Sequence, residues 1–330
     1  MATLTADPSS TTLDPLPVAE LRFKPRSPSE LAWRRFRKHR MAMVGVFTLI
    51  LLTLYATVGG MLWSHGYCAP LKTTVRGEAW ANCNDTSQKL QPPSAEHIFG
   101  TDVIGRDIFA RTIYGGQISL LIGLTATLVE VLLGTLVGVV AAYYGGWVDS
   151  LLMRFTEAML TIPSLFLLIV MAKFFGGKLP TLNLLGRELS GSVLVIIVII
   201  GITSWMYLAR IVRANVLSLR EMDYVSAARA LGVSNARIII THLLPNTFAP
   251  IIVSSSLGVA SAILSETYVS FFGLGVQVPT ASWGNMLESA YKYLATAPWL
   301  WFFPGMFILL TVLAINFVGD GLQDAFDPRG

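Results

Sequence analysis

The stretch DYVSAARALGVSNARIIITHLLPN, residues 223–246, is a polar interruption between two long apolar segments. Its alanine-rich beginning predicts a short helix, and Gly232 suits the left-handed position that ends such a helix. Ser234 can cap a second helix, which we expect to stop at Pro245 because proline cannot continue it. The sequence therefore predicts two short helices joined at a glycine and held in water by arginine and histidine side chains.

The composition of the whole chain indicates a membrane protein. Hydrophobic residues make up 53% of the 330 residues and charged residues 13%, whereas a soluble domain carries about 25% charged residues. The mean hydropathy of +0.60 agrees with this. Two cysteines cannot form a disulfide framework or a cysteine-based metal site. The net charge of only +4 gives no reason to expect a nucleic-acid partner.

Six apolar segments approach the length of roughly 20 residues that a helix needs to cross a bilayer. They are residues 41–63, 118–143, 151–175, 192–208, 248–268 and 299–318. The fourth is rich in Val and Ile, but its length and its lack of turn signals favour a helix over buried strands. Too many residues precede the first segment for a signal peptide, so we expect a retained anchor. The predicted fold class is an all-α polytopic membrane protein with six transmembrane helices.

The placement of Lys and Arg predicts the orientation, because cytoplasmic loops carry the excess of positive charge. Eight basic residues precede the first span, and five arginines lie in residues 210–246, while eight basic residues are spread over the outside loops. We therefore expect a multi-pass protein of the inner (cytoplasmic) membrane, with both termini and residues 223–246 in the cytoplasm.

The predicted spans divide the chain into five regions. In order, these are the cytoplasmic tail 1–40, the first span 41–63, the extracytoplasmic loop 64–117, the five-span core 118–320 and the cytoplasmic tail 321–330. The end of the first tail, residues 29–40, has the pattern of a basic amphipathic helix at the membrane surface, although a solvated run of charge fits equally well. In the loop, an oxidising exterior permits a disulfide between Cys68 and Cys83, and two unpaired thiols remain the alternative.

The chain lacks the sequence signatures of catalysis. The glycines before Lys178 do not form a nucleotide-binding P-loop, because Ala172 occupies the first glycine position and Leu179 follows the lysine. Neither an HExxH zinc motif nor a GxSxG nucleophile elbow occurs, and the four histidines are not at metal-ligand spacing. We expect no catalytic residue, no metal and no bound cofactor, so uphill transport must draw on a partner or on an ion gradient.

Polar residues inside the spans are candidates for a transport pathway. Span five carries four such serines, Ser254, Ser255, Ser261 and Ser265. Small polar residues fit close helix packing and a pathway lining equally well. Three glutamates, Glu130, Glu157 and Glu266, lie within spans or near their ends. An intramembrane carboxylate suits ion coupling, a water-filled cavity, a helix cap or a structural pair, and the sequence leaves these open.

Residues 223–246 resemble the "EAA" loop, the cytoplasmic coupling loop of ABC importer permeases. The matching positions are Ala227, Ala228, Gly232, Leu244 and Pro245, all at the family's spacing. Two positions depart from the pattern, because Ser226 takes the place of the glutamate and His242 that of an isoleucine. Further stretches, 99–120, 145–167, 266–287 and 319–329, resemble the C-type permease subunit of the dipeptide/oligopeptide/nickel family.

This resemblance implies a type I ABC importer (MetI-like) permease fold with cytoplasmic coupling helices. It also implies four kinds of partner: a second homologous permease, two ABC ATPases that hold the ATP and Mg, an extracytoplasmic substrate-binding protein, and membrane lipid. The residues implied to couple to the ATPases are Tyr224, Ser226, Ala227, Ala228, Leu231, Gly232, Leu244 and Pro245. The amphipathic segment 270–298 is expected to cross the outer mouth and contact the binding protein.

The implied activity is ATP-driven import of di- or oligopeptides, without ATP hydrolysis by this chain. The same machinery importing nickel, metal chelates or glutathione remains open, because the binding protein selects the substrate. An ion-coupled secondary transporter is a more distant alternative.

Overall fold

The structure is a computed structural model that describes residues 28–62, 65–176, 178, 180–184 and 187–327. Most of the predicted tail 1–40 therefore lies outside the described residues. The helices are α1 (Pro28–Lys38), α2 (Arg40–Leu62), α3 (Glu78–Ala81), α4 (Ile108–Tyr144), α5 (Gly146–Thr161), α6 (Ser164–Phe175), α7 (Gly191–Arg220), α8 (Asp223–Ala230), α9 (Asn235–Ile238), α10 (Leu244–Phe271), α11 (Trp283–Ala290) and α12 (Trp299–Phe326). The strands are β1 (His65–Cys68), β2 (Thr73–Arg76), β3 (Leu182–Leu184) and β4 (Arg187–Leu189).

The predicted membrane-spanning helices are present. Among the described residues, α2, α4, α7, α10 with the turns before it, and α12 are each long and apolar enough to cross a bilayer. The bent pair α5–α6 meets the same criterion only when its two helices are taken together as one broken span, which brings the candidate spans from five to six. Beside these helices the structure has two small antiparallel hairpins, β1–β2 and β3–β4, which the apolar pattern did not predict.

The third span differs from the straight helix predicted over residues 151–175. It breaks between α5 and α6, whose axes differ by 88°. Ile162 has an extended backbone at the break (φ −80°, ψ 125°). The cause is Pro163, because a proline ring disfavours helical backbone at the residue before it.

The start of the second span was predicted ten residues too late. The structure has α4 beginning at Ile108, not at residue 118, and Asp107 caps it by accepting a hydrogen bond from the Ala110 N–H at 2.7 Å. The end of the predicted extracytoplasmic loop 64–117 is thus the first part of α4.

The expected stop at Pro245 is wrong. The backbone stays helical from Asn235 to Phe271, and a π-helical turn (Ile239–Leu243) lies just before the proline. In this turn the Leu244 N–H bonds to the Ile239 carbonyl. A proline inside a helix lacks an N–H and crowds the carbonyl one turn back, and a wider π turn provides the room. Ser234 does occupy the N-cap position of α9, but its side chain makes no capping hydrogen bond.

The core of the bundle is the pairing of α4 with α7, which small residues bring close together. A Cβ added at Gly134 would lie 2.9 Å from the Trp205 carbonyl oxygen, and one added at Gly138 would lie 2.5 Å from that of Ala209. These glycines therefore set the distance between the helices, as small residues do in membrane helix packing.

Contacts between distant parts of the chain define the two ends of the bundle. At one end His39 lies 3.4 Å from Asp324, and the end of α4 contacts the α8–α9 region through Tyr143. At the other end the Trp283 side chain bonds to the Thr112 carbonyl at 2.9 Å. Hence α1, residues 223–246 and the end of α12 lie on one side, and the β1–β2 hairpin and α11 lie on the other.

Candidate functional site

The segment of residues 223–246 forms a compact knob at one end of the bundle. Helix α8 ends in a Schellman motif: the Val233 N–H bonds to the Ala228 carbonyl at 3.1 Å, and the Gly232 N–H bonds to the Arg229 carbonyl at 2.9 Å. Gly232 has the positive φ of 75° that this turn requires, as the sequence predicted. A Cβ at this position would meet nothing within 4 Å, so the glycine is required for its backbone conformation and not for space.

The knob is fixed to the spans by apolar packing. Val225 and Ala228 of α8, and Ile238 of α9, are buried in a cluster with Val212 and Val216 of α7. Four of these, Val212, Val216, Val225 and Ile238, are fully buried β-branched residues. The knob is therefore packed directly on α7.

Polar contacts join the knob to α4 as well. The Tyr143 hydroxyl donates to the Asn235 side-chain oxygen at 2.7 Å, and the Arg229 guanidinium lies 5.4 Å from the centre of the Tyr143 ring. Arg220 donates to the Ala142 carbonyl at 2.7 Å, so a cation lies at the negative end of the α4 dipole. These residues lie far from one another in the sequence, and no pattern in it points to them.

The other face of the knob is open. Leu231 is 83% exposed and Tyr224 is 39% exposed, while Ser226, Ala227 and Pro245 are also exposed and Leu244 is half-buried. Ala228 is the exception among the predicted coupling residues, since only 8% of it is exposed. Its side chain faces α7 because it follows Val225 by three residues on the same side of the helix.

An ion pair connects the neighbourhood of the knob to the bent third span. Arg213 of α7 makes two hydrogen bonds to Asp149 of α5, at 2.5 and 2.6 Å. A bidentate pair of this kind fixes orientation as well as distance. It joins α5 to the helix that carries the knob, and sequence analysis missed it because the partners are 64 residues apart.

A cavity of ≈ 480 Å³ lies between α4, the α5–α6 bend, α7 and α10. Ser254, Ser261 and Ser265 line it, which is one face of α10 at helical spacing. Ser255, also predicted as a lining residue, is not part of the lining. Its hydroxyl donates to the Ile252 carbonyl of its own helix at 3.0 Å.

Sequence analysis missed the remaining polar lining of the cavity. Thr203, Ser204 and Tyr207 of α7 contribute hydroxyl groups, and Ile162 and Pro163 form the wall at the bend. These hydroxyl residues of α7 lie within about one helical turn of one another. They were not predicted, because they occur in a long apolar segment whose composition indicates only a membrane span.

The three intramembrane glutamates have different surroundings. Glu130 lies in the cavity wall. Glu157 is exposed beside Arg154, 3.7 Å away. Glu266 is fully buried and accepts hydrogen bonds from Ser270 and Ser282, both at 2.7 Å.

The predicted outer amphipathic segment contains helix α11, which packs on its own chain. Ser282 and Asn285 form a reciprocal capping box at its start. Trp283 is fully buried and stacks on Phe307 of α12 at 5.6 Å. Leu294, near the end of the same segment, is 56% exposed, so the start of α11 is internal and the end of the segment is open.

The two cysteines can be described only in part. Cys83 is buried and disulfide-bonded. The side chain of Cys68, its predicted partner, lies outside the described residues.

Comparison with protein-family models gives two matches. Residues 134–329 match the binding-protein-dependent transport system inner membrane component. Residues 27–93 match the N-terminal transmembrane domain of oligopeptide transport permease C.

Two relatives match almost the whole chain. A dipeptide transport system permease protein DppC of Bacillus subtilis is 42% identical over 90% of this chain and 85% of its own length. The DppC of Alkalihalophilus pseudofirmus is 38% identical over 99% of this chain and 96% of its own.

A solved structure of the MetNI methionine ABC transporter, in an inward-facing conformation, shares the fold. It has a TM-score of 0.50 and 16% identity, and the match covers 67% of this chain and 98% of that chain. This likeness supports the type I importer permease fold. With the family model matching more than half of the chain, the protein belongs to the family of binding-protein-dependent transport system inner membrane components.

Proposed function

We propose that this chain is a translocation subunit of an ATP-driven ABC importer for di- and oligopeptides. It forms the pathway with a second homologous permease, and two ABC ATPases dock on its cytoplasmic side. An extracytoplasmic binding protein delivers the substrate. The printed names of the DppC relatives, which are dipeptide permeases, support the peptide substrate.

The observation that carries this proposal is the knob formed by residues 223–246. It exposes Leu231 on one side and is packed on α7 on the other. A short helix with an exposed apolar side chain suits a groove on a partner protein. A knob that is rigid with respect to the spans can also pass on the motion of that partner.

A mechanical path leads from the knob to the cavity. Movement of the docked ATPases shifts the knob and, with it, α7 and the end of α4. The Arg213–Asp149 pair transmits the shift to α5. Because the helix is broken at Ile162–Pro163, α5 can turn while α6 stays in place. Since the bend is part of the cavity wall, its motion changes the access to the cavity. Such hinged rearrangement is a common form of switching.

Both termini and the knob are proposed to lie in the cytoplasm, with the protein in the inner membrane. The basic residues of α1, which lies at the same end of the bundle as the knob, support this orientation.

The test is purification of the chain in mild detergent from its own cells, followed by identification and reconstitution of what accompanies it. We expect two ATPases and a second permease, and peptide uptake into proteoliposomes that requires ATP and the binding protein. A lone chain whose transport follows an ion gradient would overturn the proposal. ATP-driven uptake of a metal chelate or glutathione in place of peptides would leave the coupling intact and correct the substrate.

A further inference from the structure

Glu130 of α4 is the only charged residue that lines the ≈ 480 Å³ cavity within the described part of the chain. The other lining residues are apolar or carry hydroxyl groups. The cavity size falls in the range of small-molecule sites, and its one charge is negative. It is therefore suited to a positively charged group and unsuited to a second anion.

The Glu130 carboxylate is unpaired within the described part of the chain. None of the described residues makes a hydrogen bond or an ion pair with it, although only 8% of the residue is exposed. An unpaired buried charge is costly, and intramembrane carboxylates are retained where they act on a substrate or ion. Glu266, by contrast, has three serine partners and faces the protein interior.

The opposite wall of the cavity leaves room for this carboxylate. A Cβ added at Gly258 of α10 would lie 3.1 Å from Glu130 Oε2, so the carboxylate lies directly against the backbone of α10. Ser254 and Ser261 flank Gly258 by about one turn on either side, and both line the cavity. The carboxylate is thus bordered by two hydroxyl groups on the same helix face.

This combination matches a primary ammonium ion. An ammonium group has three N–H donors and no acceptor, while carboxylate and hydroxyl oxygens both accept. We propose that Glu130, with Ser254 and Ser261, forms a site that receives the α-ammonium group of a peptide as it passes through the membrane. The inference rests on the proposed function, because the α-ammonium is the one cation that unmodified peptides share.

The test compares Glu130→Gln and Glu130→Asp in the complete reconstituted transporter, with uptake of Ala-Ala, Ala-Lys and Ala-Glu as probes. We expect Glu130→Gln to lower Ala-Ala uptake about tenfold, a loss of about 1.4 kcal/mol, with assembly and peptide-stimulated ATP hydrolysis retained. The preference for Ala-Lys over Ala-Glu should shrink in the same variant. Glu130→Asp, which keeps the charge, should restore most of both. Ser255→Ala is the matched control, since this serine lies on the same helix outside the cavity lining.

Three outcomes would overturn the site. The first is unchanged uptake and charge preference in Glu130→Gln, and the second is a loss of uptake in Glu130→Asp as large as that in Glu130→Gln. The third is dissociation of the two permeases in Glu130→Gln, which would assign the carboxylate to a cation of the partner permease. If the wild-type complex imported no peptide at all, the proposed function would fail first, and the wild-type control separates the two cases.

Discussion

Single residues set the conformation and the surface of the knob. Gly232 is the clearest case, because its φ of 75° costs a residue with a side chain about 1–2 kcal/mol, and its surroundings leave the added atoms free. Leu231 beside it is a large apolar side chain left in the open. Both features fit the interaction surface that is proposed for the knob.

We expect Gly232→Val to separate ATP hydrolysis from transport while the chain still inserts into the membrane. A β-branched side chain resists positive φ, so the α8–α9 turn should change its angle. The measurement is the number of substrate molecules imported per ATP in proteoliposomes. Gly146→Val is the control, since Gly146 also has positive φ (55°) and open surroundings but lies outside the knob. Normal transport by Gly232→Val would contradict the role of the knob.

Leu231→Asp should weaken ATPase docking at least tenfold, a change of about 1.4 kcal/mol. The side chain is 83% exposed, so the charge removes apolar contact with the partner without a cavity in the chain itself. The amount of ATPase retained on the immobilised permease measures this. Leu71→Asp, at a leucine that is 62% exposed on the opposite side of the bundle, should retain the ATPases fully.

His97 gives the end of the bundle opposite the knob a pH dependence. A hydrogen bond to Asp107 (2.8 Å), the cap of α4, raises the pKa of His97 above its ordinary value. Because the folded-state pKa is the raised one, the stabilisation is complete below the unfolded pKa of about 6.5 and is lost as pH rises through the folded value. The difference in melting temperature between wild type and His97→Gln should therefore be largest in acid and shrink in alkali. A difference that grew with pH would contradict this assignment.

At the scale of elements, two prolines have different effects on the helices around them. Pro163 breaks the third span into α5 and α6, whereas the chain passes Pro245 as a continuous helix with the help of a π turn.

Helices α4, α10 and α11 are connected by a hydrogen-bonded node at Glu266 of α10. Its carboxylate accepts hydrogen bonds from Ser119 of α4, Ser270 of α10 and Ser282, the N-cap of α11. One side chain thus joins α4, α10 and α11 at the end of the bundle opposite the knob.

Replacing Glu266 by Leu should destabilise this end of the bundle by about 3 kcal/mol, since it leaves three buried hydroxyl groups without their acceptor. Thermal unfolding of the purified complex should start at a lower temperature, and α11 should become sensitive to protease. Glu266→Gln should be milder because the amide still accepts. Glu288→Leu, on the exposed face of α11, should change little. Equal effects at both positions would argue against the node.

At the scale of the whole molecule, the bundle has two distinct ends. The knob, α1 and the end of α12 share one end, and α11 and the start of α4 share the other. Leu231 and Leu71 are exposed at opposite ends. The geometry shows only that the two leucines lie at opposite ends, and the proposal that the end with the knob faces the cytoplasm rests on the basic residues.

Labelling with a membrane-impermeant maleimide should reveal this orientation. In intact cells Leu71→Cys should react and Leu231→Cys should not, and opening the membrane should make both react. The reverse pattern would invert the proposed topology. Cys83 should not react with the maleimide, because it is disulfide-bonded.

The sequence by itself determined the approximate positions of the spans, the glycine turn at residue 232 and the family, because each depends on local composition or on spacing along the chain. It also indicated four candidate lining serines, of which the tertiary structure brings Ser254, Ser261 and Ser265 into the cavity wall and leaves Ser255 out. Only the tertiary structure decided that Ala228 faces inward, that the third span bends at Pro163 and that Glu130 meets Gly258 in the cavity wall. Burial and pairing depend on which helices become neighbours, and that is a property of the whole packed bundle and not of any one segment.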